Sequence, residues 1–174
     1  EVALPHMTDL VEATHENILL VVLNGDKGLI VERLSGHLAT FMPYSATGEI
    51  PLYFTSSGLV LLAHASPTLQ EAVLASPMPM PPSHIPADPK YVRAQLAQAR
   101  RDGALVIKAV PSSSTPAVAS AAVAIKHKGD VVAALSVVMH GEGADPTSLL
   151  PALRVSASAI SRELGQTPPT IVNL

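Results

Sequence analysis

Ala117-Val-Ala-Ser-Ala-Ala-Val-Ala-Ile-Lys-His-Lys-Gly-Asp-Val-Val-Ala-Ala-Leu-Ser-Val-Val-Met139 is two apolar runs joined by a short polar turn. The runs, Ala117 to Lys126 and Val131 to Met139, have strand length, and Lys128-Gly-Asp130 supplies the turn. A strand with one wet face alternates polar and apolar residues. These two do not, so both of their faces must be covered. Helices elsewhere in the chain have to provide that cover.

Those helices are legible on both sides of the pair. Downstream, Leu149, Leu153, Ala157, Ile160 and Leu164 recur at helical spacing. They predict a last helix from Pro146 or Ser148 to Leu164, ended by Gly165, with Gln166 to Leu174 as a frayed tail. Upstream, Leu105 to Val110 reads as a strand and Pro111 to Pro116 as a flexible loop. Asp88-Pro89 caps a helix with a Val92, Leu96, Ala99 face, and Gly103 stops it. Ser66-Pro67 starts another, while Ser76 to Pro89, with six prolines, reads as an irregular surface loop. Nearer the start, Ile18 to Leu23 is a β-branched apolar run. Asn24-Gly-Asp-Lys-Gly28 turns the chain, and Leu29 to Leu34 returns as a hairpin partner. Leu4, Leu10 and Val11 place a first helix ending near Thr14, and a third strand is expected at Ala39 to Met42. The order is helix, hairpin, helices, strand pair, helix. It predicts an α+β domain, a largely antiparallel sheet flanked by helices.

Composition narrows the function. The 174 residues suit one domain, and 48% apolar with 14% charged residues describes a folded globule. A formal net charge of -3 argues against direct contact with nucleic acid, which needs clustered Lys and Arg. The densest basic spot, Arg100-Arg101, reads as a solvated helix end. Without cysteine there is no disulfide or thiolate metal site, and a cytoplasmic setting is expected. No apolar run approaches the roughly 20 residues that span a bilayer, so no membrane partner is expected. No signal-peptide pattern opens the sequence, which begins at Glu1, so a piece of a longer protein is expected.

Catalytic and metal motifs fare poorly. The seven histidines, at 6, 15, 37, 64, 84, 127 and 140, form no His-x-x-x-His pair and have no acid at ligand spacing. Phe54-Thr-Ser-Ser-Gly58 puts serine at a turn but lacks the Gly-x-Ser-x-Gly frame of a hydrolase. No glycine-rich phosphate loop is present. Neither an enzyme activity nor a cofactor is expected, and a small serine hydrolase stays as the weakest alternative.

One stretch keeps a binding reading: Glu49-Ile-Pro-Leu-Tyr-Phe-Thr-Ser-Ser-Gly-Leu-Val-Leu-Leu-Ala63. Thr55 or Ser56 caps a helix so apolar that it must be buried. Its first turn exposes unpaired amides at the positive end of the helix dipole, a place for a carboxylate. Plain N-capping without a ligand accounts for the same pattern. Met42, Tyr44, Tyr53 and Phe54 are near enough in sequence to supply apolar walls.

This stretch resembles the effector-binding domain of IclR-type bacterial regulators. That family has Leu-Pro-Leu-His-Ala-Thr-Ala-x-Gly-Lys-Ala, where this chain reads Ile50-Pro51-Leu52-Tyr53-Phe54-Thr55-Ser56-Ser57-Gly58-Leu59-Val60. The family's Arg-x-x-Gly matches Arg100 to Gly103, and its late strand pair matches Ala117 to Ile125 and Gly129 to Val137. Ala159 to Gly165 resembles its last helix, so the likeness extends from about Val2 to Gly165. The resemblance implies a GAF-like domain over 1–165 that binds a small metabolite, a carboxylate or aromatic acid. It implies a homodimer or homotetramer, with DNA reached only through an upstream winged helix-turn-helix domain. Family contact positions fall on Ser56, Ser57 and Gly58 at the helix start, Ser120 in the first late strand and Ser136 in the second. The family's Gly-Lys is Gly58-Leu59 here, its second-block Gly and Pro are Ala117 and Ala124, and Leu105 to Pro116 holds no acid. A less polar ligand is therefore expected, and an oligomerisation module without a ligand is the alternative.

Overall fold

A computed structural model describes residues 1–37, 48–53, 55–78, 88–108 and 118–166. The strand expected at Ala39 to Met42, most of the proline-rich loop and the loop at 111–116 lie outside these residues.

The elements run in chain order α1 (Ala3–Thr14), β1 (Asn17–Asn24), β2 (Lys27–Ser35), β3 (Glu49–Pro51), α2 (Ser56–His64), α3 (Pro67–Ala75), α4 (Pro89–Asp102), β4 (Ala104–Ile107), β5 (Val118–His127), β6 (Asp130–His140), a short 3-10 turn (Pro146–Leu149) and α5 (Leu150–Gln166). Six strands form one sheet in the order β3-β2-β1-β6-β5-β4. Every neighbouring pair is antiparallel. The apolar strands β5 and β6 both lie inside the sheet and are joined from Val118↔His140 to His127↔Asp130.

Strand periodicity sorts the side chains into two cores. On one face Leu19, Val21, Leu105, Ile107, Ala122, Ala134 and Val138 pack against α2, α3 and α4. On the other Ile18, Ala121, Val123, Ile125, Ala133, Leu135 and Val137 pack against α1 and α5. The alanines of β5 and β6 bring helices close to the sheet on both sides. Full burial of a large side chain such as Met7, Leu59, Leu135 or Ile160 stabilises the fold by about 1.5–3 kcal/mol.

The helix ends obey local chemistry. Ser66 and Asp88 accept the Leu69 and Lys90 amides at 3.2 and 2.9 Å. Gly103 ends α4 at φ 62°, and its amide donates to the Ala99 carbonyl. Arg100 is partly spent inside the molecule: its Nε donates to the Ala63 carbonyl, near the last turn of α2, at 3.1 Å. Gly165 does not stop the last helix, which runs on to Gln166. With nothing within 4 Å of where its Cβ would be, Gly165 meets no steric reason to leave the helical conformation.

Candidate ligand-binding site

Helix α2 begins where edge strand β3 leaves the sheet. Thr55 is the cap: the Gly58 amide donates to Thr55 Oγ1 at 2.9 Å and the Leu59 amide to the Thr55 carbonyl at 2.9 Å. Two amides of the first turn, Ser56 N–H and Ser57 N–H, then have no acceptor among the described residues. Both residues are buried, at 1% and 3% exposure, so bulk water does not serve them either. The partial positive charge of the helix start is therefore concentrated on these two donors.

Gly58 is set by packing. A Cβ there would lie 2.6 Å from Thr55 Oγ1, 2.8 Å from Leu52 Cα and 2.8 Å from the Pro51 carbonyl oxygen. The glycine lets the helix start press against the chain that leaves β3. Its own amide is already used by Thr55, so Gly58 shapes the site rather than donating to it.

Ser120 and Ser136 lie on the α2 side of the sheet. Alternation puts Ser120 with Ala122 and Ser136 with Ala134 and Val138. Ser136 pairs with Leu19 on β1 and Ala122 on β5, while Ser120 pairs with Val138 and Ile107. The two serines are thus diagonal neighbours, roughly 7–8 Å apart by sheet geometry. Ser136 Oγ is fully enclosed and has no hydrogen-bond partner among the described residues.

Two further residues on this face went unnoticed in the sequence. Asn17 opens β1 opposite Val138, fully buried, with its Nδ2 unpartnered among the described residues. His140 closes β6 opposite Val118, and both its ring nitrogens are enclosed without a partner among the described residues. Desolvation holds the His140 pKa below the usual histidine range. A buried polar atom with no partner costs about 1–3 kcal/mol, so several on one sheet face are a feature to explain. The signal available in the sequence was a polar residue at the first or last position of an apolar strand.

Tyr53 is buried too, and desolvation raises its phenol pKa. It lines an open cleft of about 420 Å³ with Lys27, Glu49, Leu52, Val73 and Pro77. None of the four serines lines that cleft, and its Lys27 and Glu49 pair with each other at 3.0 Å. The enclosed face carrying unpartnered donors is the better candidate. Met42, Tyr44 and Phe54 lie outside the described residues. Among the described residues no cluster of three metal-ligating side chains occurs, and no helix is long and apolar enough to cross a membrane. None of the hydrogen bonds found there joins Ser56 or Ser57 to a histidine.

Comparison with known proteins gives this geometry its context. Residues 1–162 match the family model described as bacterial transcriptional regulator IclR, C-terminal. The comparison with curated proteins returns no match. Among solved structures, an IclR homologue from Microbacterium hydrocarbonoxydans complexed with 4-hydroxybenzoate is 35% identical, with a TM-score of 0.84 over 95% of this chain and 68% of that one. The transcriptional regulator YaiJ is 25% identical, with a TM-score of 0.79 over 97% and 96% of the two chains. The inducer-binding domain of PobR from Acinetobacter, a double mutant in complex with 3-hydroxybenzoic acid, shares the fold at 20% identity and a TM-score of 0.74, over 92% of this chain and 95% of that one. The chain spans about two thirds of the Microbacterium homologue's length. With an α+β antiparallel fold and a family match over nearly its whole length, the chain belongs to the IclR family of bacterial transcriptional regulators, as its C-terminal effector-binding domain.

Proposed function

We propose that this domain senses a small organic carboxylate and passes the binding event to a DNA-reading domain elsewhere in the same protein. The observations that carry the reading are the unused, buried Ser56 and Ser57 amides that open α2 and the unpartnered Ser136 hydroxyl on the sheet face that α2 covers. The carboxylate would accept from the two amides, and the Ser120 and Ser136 hydroxyls would complete its hydrogen bonds. Tyr53, with Met42, Tyr44 and Phe54, is proposed for the apolar wall. The hydroxybenzoates bound by the Microbacterium homologue and by PobR support an aromatic acid as the ligand class.

No bond is made or broken in this scheme; the work is a shift in equilibrium. A ligand favours one arrangement of the regulator only by binding it better than the other, and a tenfold difference corresponds to about 1.4 kcal/mol. The reading includes a winged helix-turn-helix partner domain, a homodimer or homotetramer and a cytoplasmic setting.

Isothermal titration with benzoate, 3-hydroxybenzoate and 4-hydroxybenzoate tests the binding step. At least one should bind, and Ser57→Pro, which removes one of the two amides, should weaken it at least tenfold. No binding by any of the three acids, or full affinity in Ser57→Pro, would refute the site. Operator binding by the whole regulator with and without that acid tests the coupling.

A further inference from the structure

The amides of α2 account for one end of a ligand. They do not account for Asn17 and His140. Both lie on the α2 side of the sheet, at the ends of β1 and β6 opposite the β1–β2 turn. In the β1–β6 register Asn17 faces Val138, which makes Ser136 and His140 its two diagonal neighbours. Three strand positions therefore bring together four unpartnered buried atoms: Asn17 Nδ2, Ser136 Oγ and both ring nitrogens of His140.

The orientation of Asn17 is set from behind. The Ser35 hydroxyl accepts from Arg33 Nε at 3.2 Å and donates to Asn17 Oδ1 at 2.8 Å. The carbonyl end of the amide is occupied, so Nδ2 is the end left unused. It can only donate. A neutral imidazole has one donor nitrogen and one acceptor nitrogen, and burial favours that neutral form.

We propose that Asn17 and His140, beside Ser136, form a second polar subsite that reads an uncharged hydroxyl, so that the effector is a hydroxy acid rather than a simple acid. A hydroxyl accepts from Asn17 Nδ2 and donates to the acceptor nitrogen of His140 at once. A second carboxylate cannot donate, and the neutral imidazole brings no charge to balance it. An apolar group leaves every one of these atoms unpaired. This rests on the carboxylate reading of the α2 amides for the ligand's other end.

Sites built to hydrogen-bond a hydroxyl reject analogues that lack it, because the site's own groups are then stranded. Titration calorimetry with 3-hydroxybenzoate, 4-hydroxybenzoate, benzoate and phenol separates the two ends. In the unaltered chain at least one hydroxybenzoate should bind ten or more times tighter than benzoate. That ratio should fall to about one in His140→Leu, and fall also in Asn17→Ala. The two variants are made separately, so that either one folding, judged by its melting transition, suffices. Equal affinity for benzoate and both hydroxybenzoates, or a preference that survives in the folded variants, overturns the subsite. If no acid binds but phenol does, and His140→Leu loses it, the hydroxyl subsite stands and the carboxylate reading falls. If neither acids nor phenol bind, both fall.

Discussion

Ser136→Ala should stabilise the ligand-free protein. Ser136 is 1% exposed in the central strand β6, with Leu19 and Ala122 as its cross-strand neighbours. Its hydroxyl is closed off from bulk water and has no partner among the described residues. Folding therefore strips that group of hydration without return, a cost of about 1–3 kcal/mol. Alanine removes one oxygen, changes no backbone bond and leaves a gap of a single small atom, worth a few tenths of a kcal/mol at about 24 cal/mol per Å³. The net expectation is a gain of about 1 kcal/mol, or roughly 2–4 °C in Tm for a domain of this size. Urea unfolding of both proteins without ligand measures it. The gain should shrink or reverse when a bound hydroxybenzoate is present, since that ligand uses the hydroxyl. A ligand-free variant destabilised by more than about 0.5 kcal/mol would show that the hydroxyl is satisfied in the native state, and the reading of this face would be wrong.

Gly58→Ala should destabilise the domain by about 2–4 kcal/mol, combining overpacking against the 51–52 backbone with damage to the Thr55 cap, and denaturant titration reads it directly. His140 should make stability fall on acidification. Its folded pKa is depressed by burial, so above about 6.5 it is neutral in both states and contributes nothing. As the pH drops, the unfolded chain takes the proton first and stability declines until the folded pKa is passed. Melting curves from pH 8 to 5 should lose part of this slope in His140→Leu. Lys108 and Asp145 pair at 2.8 Å, and Lys108 together with Thr147 holds the Asp145 carboxyl down to about 2. Lys108→Met should raise that pKa in an NMR titration with little change in stability, because the pair is exposed.

Much of the fold was legible because its determinants are local. Thr55, Ser66, Asp88 and Gly103 sit at the helix ends they were read to mark, where a side chain or a left-handed residue settles the matter within one turn. The β5–β6 pair declared itself by apolar runs too long for a half-wet strand. Ser120 and Ser136 fell on one face because period-two alternation and the register of two long strands leave no other choice. Asn17 and His140 escaped for a matching reason. The strands were read as Ile18 to Leu23 and Val131 to Met139, and each runs further, with the informative polar residue immediately outside the reading. Hydrophobic pattern ends where polarity begins, but hydrogen-bonded pairing does not. The three-residue β3 depends on a ladder with Lys27 to Leu29 rather than on any pattern of its own.

The orphaned polar atoms on the α2 side of the sheet bear on folding as well as on recognition. A slip of β6 by a single residue would turn Ser136 and His140 toward the apolar cluster that holds Leu153, Ala157 and Ile160. Those atoms lack a partner among the described residues in the native register as well, so in the ligand-free chain they do not penalise the slip; a bound effector that satisfies them does. Correct strand alignment is thus rewarded by the metabolite itself, and replacing all of these groups with apolar residues should yield a more stable domain whose refolding no longer responds to the effector.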